Sequence, residues 1–160
     1  MDSTLTLLGV NLVVVLGFMT GAWLLSLILR DASIADVFWG LGFVLVVWVT
    51  FFLADGYLLR KVLLTVLVSL WGLRLAVHIG WRKRGKEEDR RYQAWRTRHG
   101  KAFWWVSLFT VFGVQGLLLW VISLGVQAGQ VPPEPARLGG LDAAGTLVWL
   151  VGFVLSLIHI

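Results

Sequence analysis

The chain contains no cysteine, only three prolines and few charged residues. The absence of cysteine excludes a disulfide framework and any metal site built on thiolates. Hydrophobic residues make up 58% of the chain and charged residues 14%, whereas a soluble domain is usually about half apolar and about a quarter charged. This composition excludes an ordinary soluble domain and indicates an integral membrane protein made of helices.

The motifs of common soluble enzymes are missing as well. The sequence has no GxGxxG turn, no Walker loop, no Ser/His/Asp arrangement and no site of paired catalytic carboxylates. Two of the three histidines, His99 and His159, are isolated in the sequence. A single histidine without nearby carboxylates does not make a metal site, so we expect none.

Long apolar runs dominate the rest of the sequence. Several approach or exceed the ~20 residues that cross a bilayer as a helix. They predict an all-α fold, a polytopic transmembrane bundle of about five spans within a single membrane domain, residues 1–160. The predicted spans cover residues 5–29, 34–53, 58–79, 103–126 and 142–160.

The loop of residues 80–102 carries the excess positive charge. From Gly80 to Lys101 there are nine Lys/Arg and three Asp/Glu, a net charge of +6, while the rest of the chain has a net charge of −1. Short loops rich in Lys/Arg stay cytoplasmic, so we predict that this loop is cytoplasmic and that the N-terminus is outside. Basic charge beside membrane spans favours anionic lipid head groups or a phosphate-bearing cofactor over nucleic acid.

Asp36 lies in the first turn of the second predicted span. Ser33, three residues earlier, fits a helix N-cap with a capping acid, and the helix dipole favours an anion at this position. An ionisable residue in a membrane segment is also a functional candidate, because it costs roughly 2.5–3.5 kcal/mol at the helix centre. We therefore consider Asp36 both as a capping residue and as a catalytic candidate.

Arg74, His78 and Arg82 lie four residues apart on one face of the third span, which leads into the basic loop. They could bind a phosphate or polarise a carbonyl group, and His78 is the second catalytic candidate, because histidine often serves as a general acid or base. The alternative is an Arg74–Asp36 pair that only joins two spans.

The sequence of residues 86–99 is typical of a short helix. On that helix Tyr92 and Trp95 would share one face and lie against the membrane interface. At helical spacing, Glu87 and Glu88 are expected to pair with Arg91. The segment is either a solvated charged helix or a surface for cofactor phosphates, since arginine offers a forked donor. In the second interpretation the binding residues are Arg91, Tyr92 and Arg96.

The last predicted span is short and is followed by no polar anchor. A terminal carboxylate inside the hydrocarbon layer is costly, and an adapter used in transposon-based DNA sequencing encodes the final hexapeptide LSLIHI in one reading frame. We therefore expect residues 155–160 not to be natural and the chain to be the N-terminal piece of a longer protein. The alternative is a natural short helix that reaches the far interface.

Three stretches carry a resemblance to a known family. They are DVFWG from Asp36, RLAVHIGWRKRGKEEDRRYQAWR from Arg74, and FWWVSLFTVFGVQGLLLWVISL from Phe103. Through them the chain resembles the bacterial DUF1295 family, which is similar to the C-terminal domain of steroid 5-alpha-reductase and, more distantly, to isoprenylcysteine carboxyl methyltransferases.

The resemblance implies a membrane-embedded reductase. In such an enzyme NADPH delivers hydride to the conjugated double bond of a lipid-like enone, and a protein group stabilises the enolate. His78 followed by Arg82 resembles a pattern that lies near the nicotinamide in the reductases. The family's main cofactor motif, of the type SRHPNYFGE, is absent from this sequence, so the resemblance implies that this chain alone is inactive.

Two other functions stay open. One is a non-catalytic membrane protein whose basic loop binds anionic lipid or a protein partner, and the other is a methyltransferase relative. The resemblance also implies a bacterial inner membrane as the location.

Overall fold

A computed structural model describes the backbone of residues 2–158 and the side chains of residues 3–157. The chain is 85% helical, and its described part contains no strand, which confirms the all-α prediction. Among the described residues, five helices are long and apolar enough to cross a membrane. His159 and the end of the fifth predicted span lie outside the described residues.

Apart from α4, which lies in the basic loop, the helices follow the apolar runs of the sequence. They are α1 (Asp2–Leu29), α2 (Ile34–Leu53), α3 (Leu58–Lys83), α4 (Arg90–His99), α5 (Phe103–Ser107), α6 (Val114–Gln130) and α7 (Gly140–Ile158). A 3₁₀ turn, Gly100–Ala102, precedes α5, and a π-helical segment, Leu108–Gly113, joins α5 to α6. The fourth span is therefore α5, the π segment and α6 together.

The bundle has two distinct ends. We call the end that holds residues 30–33 and 84–102 the basic end, and the end that holds residues 54–57 and 131–139 the opposite end. The third helix continues to Lys83, four residues beyond its predicted end at residue 79. The helical part of the basic loop is shorter than predicted, because α4 begins only at Arg90.

The core of the bundle lies where α1, α2 and α6 meet. Its fully or nearly fully buried side chains come from all three helices and from the π segment: Val15, Met19, Phe43, Val46, Phe112 and Leu119. Lipid tails are as apolar as these side chains, so close packing and polar contacts must hold membrane helices together. The structure shows both kinds of contact.

The close packing is between α2 and α3, at Gly40 and Gly72. A Cβ atom added to Gly72 would lie 2.7 Å from the carbonyl oxygen of Gly40, and one added to Gly40 would lie 2.9 Å from that of Gly72. Neither backbone leaves room for a side chain. These two glycines therefore set the distance between the helices.

The polar contact is a buried amide network near the opposite end. The Asn11 Nδ2 group donates to Thr50 Oγ1 at 2.9 Å and to Gln127 Oε1 at 2.8 Å. All three side chains are completely buried, and they come from α1, α2 and α6. A buried amide needs hydrogen-bond partners, so this network fixes the three helices relative to one another.

The last helix, α7, contacts the described bundle chiefly through α3. Near the opposite end Arg60 donates to Asp142 at 2.9 Å. Further along, Arg74 donates to the backbone carbonyl of Ser156 at 2.7 Å and to its hydroxyl group. The predicted Arg74–Asp36 pair is therefore wrong, because the guanidinium group of Arg74 binds α7.

We predict that Gly72→Ala destabilises the protein. The new methyl group would press on backbone atoms, and overpacking of this kind costs about 1–3 kcal/mol, more than the ~0.5–1 kcal/mol that alanine gains over glycine in a helix. The matched control is Gly17→Ala in α1, where a Cβ would meet no atom of the described residues within 4 Å. Thermal unfolding in detergent, followed by circular dichroism, should show a lower midpoint for the first variant and an equal or higher one for the control. Two midpoints that rise together would contradict the close approach.

Candidate functional site

Asp36 is the centre of a hydrogen-bond network at the basic end. The Tyr92 hydroxyl group donates to Asp36 Oδ1 at 3.0 Å, and Arg91 Nη2 donates to Asp36 Oδ2 at 3.2 Å. The Gln115 Nε2 group donates to the Tyr92 hydroxyl oxygen at 3.1 Å and lies 3.5 Å from Asp36 Oδ1. The network thus joins α2, α4 and α6 through four side chains, and we call it the Asp36 network.

A second set of charges holds α4 in place. The Glu88 carboxylate accepts hydrogen bonds from Arg96 at 2.8 and 2.9 Å and from the Ala32 backbone at 2.7 Å. The Arg96 guanidinium group also lies 4.5 Å from the centre of the Phe103 ring. Arg96 and Glu88 therefore hold the start of α4 against the connection between α1 and α2.

Two aspartates, Asp89 and Asp31, further stabilise this part of the basic end. Asp89 caps α4 by accepting a hydrogen bond from the Arg91 backbone at 2.9 Å, and hydrogen bonds from Arg91 lower the pKa of Asp89. Asp31 binds Lys83 and the Ser33 hydroxyl group. Partial burial acts to raise the pKa of Asp31, but hydrogen bonds from Lys83 and Ser33 outweigh it, so this pKa is lowered. A lowered pKa favours the folded state at neutral pH, and this contribution is lost as the pH falls through the folded pKa.

The capping and pairing predictions for this region need correction. Ser33 occupies the N-cap position of α2, but its side chain makes no cap hydrogen bond and donates instead to Asp31 at 2.6 Å. The predicted pairs of Glu87 and Glu88 with Arg91 are wrong. Both glutamates lie in the loop before α4, so the helical spacing on which the prediction rests does not exist there.

Two pockets adjoin the Asp36 network. The charged pocket has a volume of about 150 Å³ and is lined by three basic and three acidic side chains, Arg82, Lys83, Lys86, Asp36, Glu87 and Asp89. The second, which we call the Tyr92 pocket, has a volume of about 340 Å³, and its lining includes Tyr92, Trp95, Thr110, Val111, Val114 and Gln115. Asp36 faces the first pocket while its partners Tyr92 and Gln115 face the second, so the network forms the wall between them.

The π-helical segment shapes the Tyr92 pocket. Such segments are rare and occur often at functional sites. Here the segment places Thr110 and Val111 on the pocket wall, one turn before Gln115. The Oε1 atom of Gln115 is buried and has no hydrogen-bond partner among the described residues, so an unused acceptor lies close to the Tyr92 hydroxyl group.

The structure brings together some of the candidate residues and separates others. Asp36, Arg91 and Tyr92 form one network, and Arg82 lines the pocket next to it. Arg74 is engaged with α7. His78 is half-buried on α3 and lines neither pocket. Sequence reasoning did not select Gln115; its only signal was a lone amide inside an apolar run.

We predict that Glu88→Gln loosens α4 without unfolding the bundle. The change removes the charge that binds Arg96. Because Arg96 is partly exposed, we expect the contact of α4 with the bundle to weaken by about 1 kcal/mol, so that the fraction of molecules with α4 detached rises roughly fivefold. Limited proteolysis with trypsin should cut between residues 84 and 98 correspondingly faster. Glu87→Gln is the control, because Glu87 is exposed and carries the same charge in the same loop. Equal cleavage of the two variants would show that Glu88 does not hold α4.

Comparison of the sequence with known proteins identifies the family of this chain. No curated protein and no solved structure matches the chain significantly. The sequence model described as "Protein of unknown function (DUF1295)" matches residues 22–159. This match covers most of the chain, including α2 to α6 and with them the Asp36 network and both pockets. The chain therefore belongs to the DUF1295 family.

Proposed function

We propose that the chain is the N-terminal part of a membrane-embedded NAD(P)H-dependent reductase that acts on a lipid-like conjugated enone. The observation that carries the proposal is the Asp36 network, which separates a charged pocket from a largely apolar one. A reductase of this kind needs a charged place for an anionic cofactor, an apolar place for the substrate, and a hydrogen-bond donor between them.

The Tyr92 pocket fits the substrate side. Its volume of about 340 Å³ lies at the lower end of the ~300–1,000 Å³ typical of ligand pockets, which are mostly apolar with a few polar groups. Val111, Val114 and Trp95 supply the apolar walls. The polar lining residues are Arg91, Tyr92, Thr110 and Gln115. The Tyr92 hydroxyl group and the Gln115 amide lie side by side, 3.1 Å apart.

Tyr92 is the proposed donor to the substrate carbonyl. Reduction of a conjugated double bond places negative charge on the carbonyl oxygen, and a donor already aimed at that oxygen lowers the barrier. In the structure the Tyr92 hydroxyl group donates to Asp36 and accepts from Gln115. A turn of the hydroxyl hydrogen toward the pocket would redirect this donor to the substrate, while Arg91 continues to neutralise Asp36.

The charged pocket fits one part of the cofactor. When bound, NADPH would supply the hydride. Arg82 and Lys86 are exposed and line the pocket, whereas Lys83 is already paired with Asp31. The volume of about 150 Å³ is below that of a drug-sized ligand site, so these residues fit a phosphate group and not a whole dinucleotide.

The test is binding of an apolar enone to the purified chain in lipid nanodiscs. Tyr92→Phe keeps the ring and removes the donor, so we expect the Kd to rise about two- to tenfold, the share of one neutral hydrogen bond. The chain has two tyrosines, and Tyr57→Phe at the opposite end is the matched control. Binding of the corresponding hydrocarbon, which has no carbonyl oxygen, should be unchanged by Tyr92→Phe.

Absence of enone binding, or equal Kd values for the enone in the wild type and in Tyr92→Phe, would refute the proposal. Hydride transfer is then measured on the product of the complete reading frame, because the SRHPNYFGE-type motif is absent from these 160 residues. There, Arg82→Ala should weaken NADPH binding more than Arg84→Ala, which changes an exposed arginine outside the charged pocket.

A second candidate function is binding of anionic lipid head groups at the basic end. Seven exposed cations there have no ion-pair partner among the described residues: Arg30, Arg82, Arg84, Lys86, Arg90, Arg98 and Lys101. Four exposed tryptophans lie in the same part of the chain: Trp81, Trp95, Trp104 and Trp105. Indole rings favour the membrane interface, and cations beside it attract anionic head groups.

If this second function holds, the protein should retain anionic phospholipid over zwitterionic phospholipid during purification, and salt should reduce the difference. Changing Arg98 and Lys101 together to alanine should lower the retention, while Arg137→Ala at the opposite end should not. These two residues lie outside the charged pocket, so the result is independent of cofactor binding. Equal retention of both lipid classes would exclude the function.

A further inference from the structure

The Tyr92 pocket is open at its mouth and closed at its inner wall. Trp95 and Val114 line the pocket and are 41% and 50% exposed, so they mark the mouth. Val111 and Tyr92 also line it but are only 2% and 7% exposed. Val114 belongs to the apolar fourth span, so the mouth lies on a side of the bundle that meets lipid. A molecule from the bilayer can reach the mouth, but it reaches the inner wall only if the pocket widens.

The two walls of the pocket come from different parts of the chain. Helix α4 supplies Arg91, Tyr92 and Trp95, while the π segment and the start of α6 supply the other wall. The π segment belongs to the core of the bundle, because Val111 and Phe112 are buried there. Of the ten residues of α4, in contrast, only Tyr92 is buried. Helix α4 is therefore the wall that can move.

Polar contacts hold α4 and the residues before it against the bundle. Glu88 accepts a hydrogen bond from the Ala32 backbone at 2.7 Å, and Arg91 and Tyr92 donate to Asp36 at 3.2 and 3.0 Å. We call these contacts the latch, because they all reach the α1–α2 connection and the first turn of α2. Water can replace such partners when α4 moves outward, so the latch can break and form again.

Glycines lie on both sides of residues 86–99, the segment that contains α4. Gly85 has a φ of +74°, and Gly100, directly after α4, has a φ of +51° and a ψ of −127°. A Cβ atom at either position would meet no atom of the described residues within 4 Å, so these positions need glycine for the backbone and not for close packing. Hinges are a few positions at the ends of elements that absorb a change of backbone angles.

We propose that residues 86–99 form a lid that rotates about Gly85 and Gly100 and admits a lipid-like ligand from the bilayer to the Tyr92 pocket. When the latch opens, the wall formed by α4 moves away from the fourth span. Closure then brings the Tyr92 hydroxyl group onto the ligand. The nature of the ligand rests on the proposed function, whereas the motion rests on the latch and the two glycines.

The test is the reactivity of a thiol on the inner wall of the pocket. The chain has no cysteine, so Val111→Cys creates a single thiol, which is labelled with N-ethylmaleimide in lipid nanodiscs without any ligand. A buried thiol reacts only through local opening, so its labelling rate follows the fraction of molecules with an open lid. We expect Glu88→Gln, which weakens the latch, to raise this rate about fivefold. Glu87→Gln, in the same loop, should leave it unchanged.

The hinge is tested with the same thiol. Gly100→Ala strains the backbone of the closed lid, because an L residue avoids this conformation, so we expect labelling about five- to thirtyfold faster. Gly80→Ala is the matched control. Gly80 lies inside α3, and a Cβ atom there would also meet no atom of the described residues within 4 Å, so this variant should label at the original rate.

A second buried thiol separates lid opening from general loosening of the bundle. Val47 on α2 is 1% exposed and does not line the Tyr92 pocket, so labelling of Val47→Cys should not respond to Glu88→Gln. An unchanged rate at Val111→Cys in the Glu88→Gln variant would overturn the lid, as would equal acceleration at both thiols. Because no enone takes part, acceleration confined to Val111→Cys supports the lid even if the enone fails to bind and the reductase proposal is refuted.

Discussion

A carboxylate at the boundary of a membrane must be paired, and the pairing of Asp36 determines the arrangement of the basic end. The partners come from a surface helix and from the fourth span, through Arg91, Tyr92 and Gln115. These hydrogen bonds to Asp36 hold α4 against the bundle, and the ring of Tyr92 is buried there. The position of the two pockets follows, because the same side chains form their common wall.

Different forces hold the bundle at different depths. At the basic end, on the surface of the bundle, most of the contacts between helices and loops are ion pairs. Between α2 and α3, backbones touch directly at Gly40 and Gly72, and near the opposite end buried amides join α1, α2 and α6. This division is expected of helices in lipid, where transfer of apolar side chains between helices and acyl chains supplies little driving force.

The spans could be predicted because each is a long apolar run, a property of neighbouring residues. The partners of Asp36 could not, because Arg91 and Tyr92 lie 55 and 56 residues away along the chain, and only the folded path brings them close. Helical spacing suggested Glu87 and Glu88 as partners of Arg91, yet α4 starts after them. The Arg74–Asp36 prediction failed for a related reason, since nothing in the sequence shows that α7 lies beside α3.

The two contacts between α3 and α7 have one more property. Arg60 with Asp142, and Arg74 with Ser156, are each separated by the same 82 residues. Because the offset is the same, the two helices are parallel and keep one register along their length. Sliding α7 along its neighbour by a single turn would break both contacts at once and leave two guanidinium groups without these partners. The two contacts together therefore fix the height of α7 relative to α3.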